Sequence, residues 1–247
     1  MKTNATKTAA LSKRIDAQKN QSIDLNEWIF SQLPLAANNK VLELCCGIGA
    51  QTKFFSRRIT SGQVTCVDIN PSSIEKNIEN VRDSKIKYIV SGLDDINKYA
   101  LHKYDLIFSA YGFYYSKNPK LLHKTLNSKL TNGGKFVLVG PVLGNNRELY
   151  QIVLKAGGII PKAVSYSSEF FMLDFLQEFL LYYPLVKFQR IENKIKYSSA
   201  AELLSYWKNT TFYTPGNDKK FIKETSKYFG REISITKSLS FLQGECP

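Results

Sequence analysis

Two glycines at alternate positions, Gly47 and Gly49, follow the short apolar run Val41–Leu44 in this 247-residue chain. Bare backbone at such a turn bends tightly and lets a ligand approach without side chains in the way. Asp68 closes the next apolar run, Gln63–Ile69, about 20 residues further on. A carboxylate there is placed to accept both hydroxyls of an adenosine ribose. A glycine pair after a strand and before a helix, with an acid ending the next strand, points to a nucleoside-containing ligand.

Such a turn needs a sheet to carry it. Apolar runs at Val41–Leu44, Gln63–Ile69, Ile86–Val90, Tyr104–Ser109 and Lys135–Val139 predict five short strands. Helical stripes at Ile23–Leu33, Thr52–Arg58, Pro71–Arg82 and Leu121–Leu130 surround or separate them, the last stopped by Asn132-Gly133-Gly134. Strands alternating with helices predict a parallel sheet covered on both faces. The second half changes character. Asn146–Leu154 and an aromatic segment, Phe170–Tyr182, read as helices, and Lys187–Tyr197 and Glu232–Phe241 alternate as strands. The expected fold is α/β: a doubly wound, mostly parallel seven-stranded sheet with helices on both faces, an antiparallel last strand and a helical cap insertion. The expected domains are a flexible basic arm over 1–20, a nucleoside-binding core over 21–142, and residues 143–247 completing the sheet. Within the last part, helical residues of about 199–230 form a cap between the last two strands.

Two features separate a dinucleotide from a sulfonium nucleoside. A dinucleotide turn wants a third small residue, and Thr52 occupies that place. Glu43 enters the turn, where its charge would repel a pyrophosphate but tolerates a cation. With those residues in view, VLELCCGIGAQT resembles the first motif of the class I S-adenosylmethionine-dependent methyltransferases. VDIN (Val67–Asn70), YDLIFSAYGFYY (Tyr104–Tyr115) and NGGKFVLVGP (Asn132–Pro141) resemble their second-, fourth- and fifth-strand motifs. The resemblance covers roughly residues 20–142. It departs from the family at Cys45, where a glycine is common, and after the third strand, where Ser91-Gly92-Leu93-Asp94-Asp95 leaves two ways to meet the adenine amine. Either Asp94 does so, or the backbone at Gly92-Leu93 does.

The resemblance implies S-adenosyl-L-methionine as cofactor and S-adenosyl-L-homocysteine as product. It implies that Glu43, Cys45 and Gly47 line the methionine part and that Gly49 completes the turn. Asp68 and Ile69 would hold the ribose and one adenine face, Gly92 and Leu93 the adenine edge, and Ser109 the amino-acid end. Methyl displacement from a sulfonium mainly requires alignment of the nucleophile. Tyr111, Tyr114 and Tyr115 are the candidates near the methyl, either as an electron-rich wall or as packing. Asn145, Asn146 and Glu148 either orient a polar acceptor or start a helix. Trp207 and Tyr213 either line an apolar acceptor pocket or fill a core. His102 and His123 are assigned to surface or core.

The chain carries 34 Lys and Arg against 21 Asp and Glu, a net charge of +13, spread along its length. Only Lys2, Lys7, Lys13, Arg14 and Lys19 form a cluster, against Asp16. The charge permits a nucleic-acid partner, yet no Asn/Asp-Pro-Pro-aromatic run follows the fourth strand. The favoured expectation is methyl transfer to O or N of a small molecule or peptide terminus. A tRNA or rRNA methyltransferase and a non-catalytic binding protein are the alternatives. Four cysteines without metal spacing predict no metal; Cys45, Cys46 and Cys66 read as buried, reduced thiols and Cys246 as exposed in the tail. The absence of a long apolar run predicts no membrane span and a cytoplasmic location.

Overall fold

The computed structural model of the chain describes residues 7–229 and 232–247. Among them β1 (Lys40–Leu44), β2 (Gln63–Asp68), β3 (Ile86–Val90), β4 (Tyr104–Ala110), β5 (Leu130–Pro141), β6 (Leu185–Tyr197) and β7 (Ile233–Glu245) form a seven-stranded sheet. Its order is β3-β2-β1-β4-β5-β7-β6. β1 pairs in parallel with β2 and β4, β2 with β3, and β4 with β5. Parallel neighbours cannot be joined by a tight turn. The chain accordingly crosses through α3 (Thr52–Arg58), α4 (Pro71–Val81) and α5 (Pro119–Asn127). The strand order reverses at β1, the position where α/β sheets open a crevice at their carboxyl edge. β7 runs against β5: Gly133 N–H donates to Cys246 O, Cys246 N–H to Gly134 O, and Val142 N–H to Ser238 O.

The chain divides into two compact units. The larger comprises Leu25–Gly140, Phe170–Arg190 and Ser240–Pro247. Apolar residues of β1, β2, β4 and β5 meet α2 (Leu25–Ser31) and α3 in one core, where Phe30, Phe55 and Phe108 pack edge to face or tilted. A second aromatic cluster surrounds His123, with Phe136, Phe175 and Phe179 within 5.3 Å of its ring. Helix starts follow their caps. Asn70 accepts from Ser72 N–H ahead of Pro71, and Asn118 from Leu121 N–H ahead of Pro119. α8 (Leu176–Tyr182) is preceded not by more α-helix but by wider π-turns over Phe170–Phe175, so the aromatic segment is two pieces.

The smaller unit comprises Met1–Asp24, Pro141–Glu169 and Ile191–Leu239. It holds α1 (Thr8–Asp16), α6 (Arg147–Lys155), α7 (Lys162–Glu169), α9 (Ala200–Lys208) and α10 (Asp218–Phe229). Leu149, Ile152 and Val153 of α6, Leu203 and Trp207 of α9, Phe221 of α10 and Ile235 share its core. In chain order α9 and α10 lie between β6 and β7; residue 230 of the expected cap lies outside the described residues.

The structure departs from the sequence reading in two further places. Residues 8–16 form a helix rather than a frayed arm: Ala10 is buried, Arg14 Nη1 donates to Asn209 O at 2.9 Å, and Lys196 N–H to Asn20 O. Residues 1–6, Lys2 included, lie outside the described residues. β5 begins at Leu130, ahead of Gly133-Gly134, because β7 pairs with those glycines and Gly133 adopts φ +70°. α7 gave no periodic signal.

Candidate functional site

The first strand-to-helix turn lies in the larger unit and alternates left-handed residues: Cys45 at φ +57°, Gly47 at +53° and Gly49 at +91°. A methylene added at Gly49 would collide with the Asn77 carboxamide on α4, so that glycine permits close helix approach as well as the bend. Cys45 pays local strain in a region that favours glycine. Its side chain lies against Gly112, where any Cβ would strike it. Burial, with Asp68 nearby, pushes the Cys45 thiol well up and keeps it protonated.

Asp68 joins two loops. Gly47 N–H donates to its Oδ2 and Asn70 N–H to its Oδ1, both at 2.9 Å. Partial burial raises its pKa, while the amides of Asn70 and Gly47 draw it back toward the carboxylate. Ile69, beside it, is 64% exposed, an apolar surface next to the carboxylate. Gly92 lies beside Ile69 across the β2–β3 edge. Leu93 O accepts from the buried Tyr99 hydroxyl, fixing the loop after β3. Asp94 has both oxygens engaged, Oδ1 by Ser116 Oγ and Oδ2 by Lys117 N–H. It ties the loop after β3 to the turn that follows β4.

Ser109, one residue before the end of β4, is fully buried, and its hydroxyl has no hydrogen-bond partner among the described residues. Tyr111 stands at φ +57° immediately after β4, its amide donating to Val139 O. Tyr114 packs on Phe170 and Phe171, and burial drives its phenol pKa well up. Tyr115 is largely exposed.

Glu43 is 1% exposed. Its Oε2 accepts from Thr52 Oγ1 at 2.7 Å and from the Cys66 thiol at 3.3 Å; Asn77 Nδ2 donates in turn to Thr52 Oγ1 at 3.0 Å. Burial pushes its pKa up to about 7. Glu43 therefore braces the turn from β1 and α3, a supporting role that its place in the motif does not reveal. Thr52 and Asn77 are the site-bracing residues that sequence reasoning missed. Thr52 stands out in the sequence only as the residue in place of a third small one, and Asn77 carries no motif.

The residues expected at the acceptor lie in the smaller unit and, Asn145 apart, are held by contacts there. Glu148 accepts from Thr236 N–H and Thr236 Oγ1. Asn146 precedes α6 in a left-handed conformation, its Oδ1 accepting from Lys237 Nζ. Asn145 Oδ1 is buried with no partner among the described residues. Trp207 is fully buried, stacked on Phe221 and donating to Phe212 O, so it fills a core rather than presenting a surface. Tyr213 donates its hydroxyl to Asp218. His123 is fully buried and His102 is exposed. No group of three metal-ligating side chains occurs among the described residues, and none of their helices is long and apolar enough to cross a membrane.

Residues 41–134 match a family model described as a methyltransferase domain. Malonyl-acyl-carrier-protein O-methyltransferase 1 of Ilyobacter polytropus is 29% identical over 139 residues, covering 56% of this chain and 50% of that protein. The chain thus matches about half the length of this curated relative. The solved YcgJ protein of Bacillus subtilis superposes with TM-score 0.65 at 14% identity, over 90% of this chain and 97% of its own. A Haemonchus contortus phosphoethanolamine N-methyltransferase 2, solved with S-adenosylhomocysteine, superposes with TM-score 0.55 at 15% identity, over 90% of this chain and 52% of its own. Residues 41–134 thus match a methyltransferase domain, and about nine-tenths of the chain shares its fold with the solved YcgJ protein and the Haemonchus methyltransferase.

Proposed function

We propose that the chain is an S-adenosylmethionine-dependent methyltransferase acting on an oxygen or nitrogen of a small molecule or of a peptide or carrier-bound terminus. One observation carries the reading: the Asp68 carboxylate, held at 2.9 Å by the amide of Gly47, joins the glycine turn to the end of β2. That pairing supports a ribose diol at Asp68 and a methionine chain over Gly47. The exposed Ile69 beside Gly92 supports an adenine face, and the unpartnered Ser109 hydroxyl supports a polar contact to the amino-acid end. Because Asp94 is held by Ser116 and Lys117, the backbone of Gly92 and Leu93 is the better candidate for the adenine edge. Bound there, the cofactor supplies a methyl on a good leaving group. The protein's task is to align an acceptor and exclude water. Tyr111 and Tyr115 are the proposed wall near the methyl, with Tyr114 fixing their turn. The relative's printed name gives a malonyl group on a carrier protein as acceptor and oxygen as the methylated atom, and an acceptor of that kind suits the reading.

The test is transfer of labelled methyl from S-adenosylmethionine into fractionated extract, with products identified by mass. Wild type should label a small molecule or a peptide or carrier-bound end. Asp68→Ala should cut turnover at subsaturating cofactor by about 100-fold, as expected for loss of two charge-assisted hydrogen bonds. Cofactor binding without any labelled product would leave a binding protein, and label in RNA would make the acceptor a nucleic acid.

A further inference from the structure

Lys237 is an unusual residue for the smaller unit: it lies on β7 between Ile235 and Leu239, on the strand face shared by those apolar residues, and is 7% exposed. Its ammonium has three N–H donors. One meets Asn146 Oδ1 at 2.6 Å and another the Tyr206 hydroxyl at 2.5 Å. The nitrogen also lies 4.6 Å from the Tyr206 ring centroid. Both partners are neutral, and no described carboxylate pairs with it. A cation withdrawn from water without a counter-charge is costly, and an apolar residue would suit this strand face better.

Two further features surround it. Asn146 holds φ +56° at the start of α6, yet its side chain does not cap that helix. Its oxygen is turned to Lys237 and its nitrogen to the Tyr150 hydroxyl at 3.4 Å. Asparagine tolerates this backbone conformation, and here its side chain is committed to Lys237 and Tyr150 in place of the helix end. Next to Tyr206, with ring centroids 5.8 Å apart, Tyr197 is 5% exposed and its hydroxyl has no partner among the described residues. A third ammonium proton and a buried phenolic proton thus have no acceptor in the described chain.

We propose that Lys237, oriented by Asn146 and Tyr206 and joined by the Tyr197 hydroxyl, is a binding site for the carboxylate of a small organic acid. One positive charge among neutral donors matches a monoanion, whereas a phosphate dianion would leave charge uncompensated. The assignment stands within the smaller unit and does not depend on the reading of Asp68.

Thermal unfolding in sodium propionate tests it, against sodium chloride and sodium phosphate at equal ionic strength. Propionate at tens of millimolar should raise the wild-type midpoint by about 3 °C over chloride, and phosphate should raise it less. The rise should vanish in Lys237→Met. Should that variant fail to fold, Tyr197→Phe, which removes one oxygen atom, should at least halve the rise. A wild-type midpoint no higher in propionate than in chloride overturns the proposal, as does a larger rise in phosphate or a rise that survives in Lys237→Met. If Tyr197→Phe is the variant read, an undiminished rise overturns it too. Binding of S-adenosylhomocysteine, read separately by calorimetry, reports on the methyltransferase reading alone.

Discussion

Two buried titratable side chains of the larger unit pull its stability in opposite directions with pH. Burial raises Glu43 from 4.5 to about 7. Its folded form prefers the proton, so its contribution is full below pH 4.5 and lost as pH rises toward 7. Burial lowers His123 from 6.5 to about 4, so the folded form prefers the neutral ring. Its contribution is full above pH 6.5 and lost as pH falls toward 4. Each spans about 3 kcal/mol, and across the shared interval they offset one another. Wild-type stability, read by urea unfolding, should therefore vary little between pH 4.5 and 6.5 on account of these groups. Glu43→Gln should expose the histidine and lose stability toward acid, while His123→Gln should gain it. A sloping wild type with unchanged slopes in both variants contradicts these assignments. Glu43 was visible in the sequence as an acid entering the turn. Its proton was not, because that depends on Thr52, Cys66 and Asn77 closing over it from three separate elements. His123 shows the same limit: nothing local foretells that Tyr183 will bond its Nε2 from 60 positions away.

Elements were legible where period and cap agree. α3 and β2–β4 lie within a residue of their apolar runs, and Asn70-Pro71 and Asn118-Pro119 mark helix starts through side-chain caps that act locally. The failures share a non-local cause. Thr8–Asp16 has little apolar surface, and its partners, such as Asn209, lie far along the chain. The glycines of β5 read as a stop because β7, which pairs with them, comes more than 100 residues later. Phe170–Phe175 widens into π-turns, a choice that its α-like pattern does not encode. A prediction belongs at this scale: Gly49→Ala must place a methyl against Asn77 and hold alanine at φ +91°. It should lower the unfolding midpoint by several degrees, about 2 kcal/mol or more, and weaken cofactor binding at least tenfold. Gly133→Ala, with open space around its Cβ position, should cost less and leave cofactor binding intact. Equal effects from the two on cofactor binding would show that the packing of α4 on the turn does not shape the site.

For the whole molecule, the net charge of +13 is the feature that most favours nucleic acid. Charge alone gives salt-sensitive, sequence-independent association. Binding to bulk tRNA should fall at least tenfold between 50 and 200 mM salt, and methyl incorporation into that tRNA should stay at background. Incorporation that persists at the higher salt would move the acceptor to RNA. The fold itself was legible at this scale, since strand alternation and the four motifs agree on one sheet. The acceptor was not, because the residues expected to meet it, Asn146, Glu148 and Trp207, are taken up by contacts within the smaller unit.

Calorimetric titration tests most directly the proposed crevice in which Gly47 and Asp68 receive an adenosyl sulfur compound. S-adenosylhomocysteine should bind one molecule per chain, Asp68→Ala should lose most of that affinity, and NAD should give no heat of binding. Silence with S-adenosylhomocysteine, or saturable binding of NAD in its place, would contradict it.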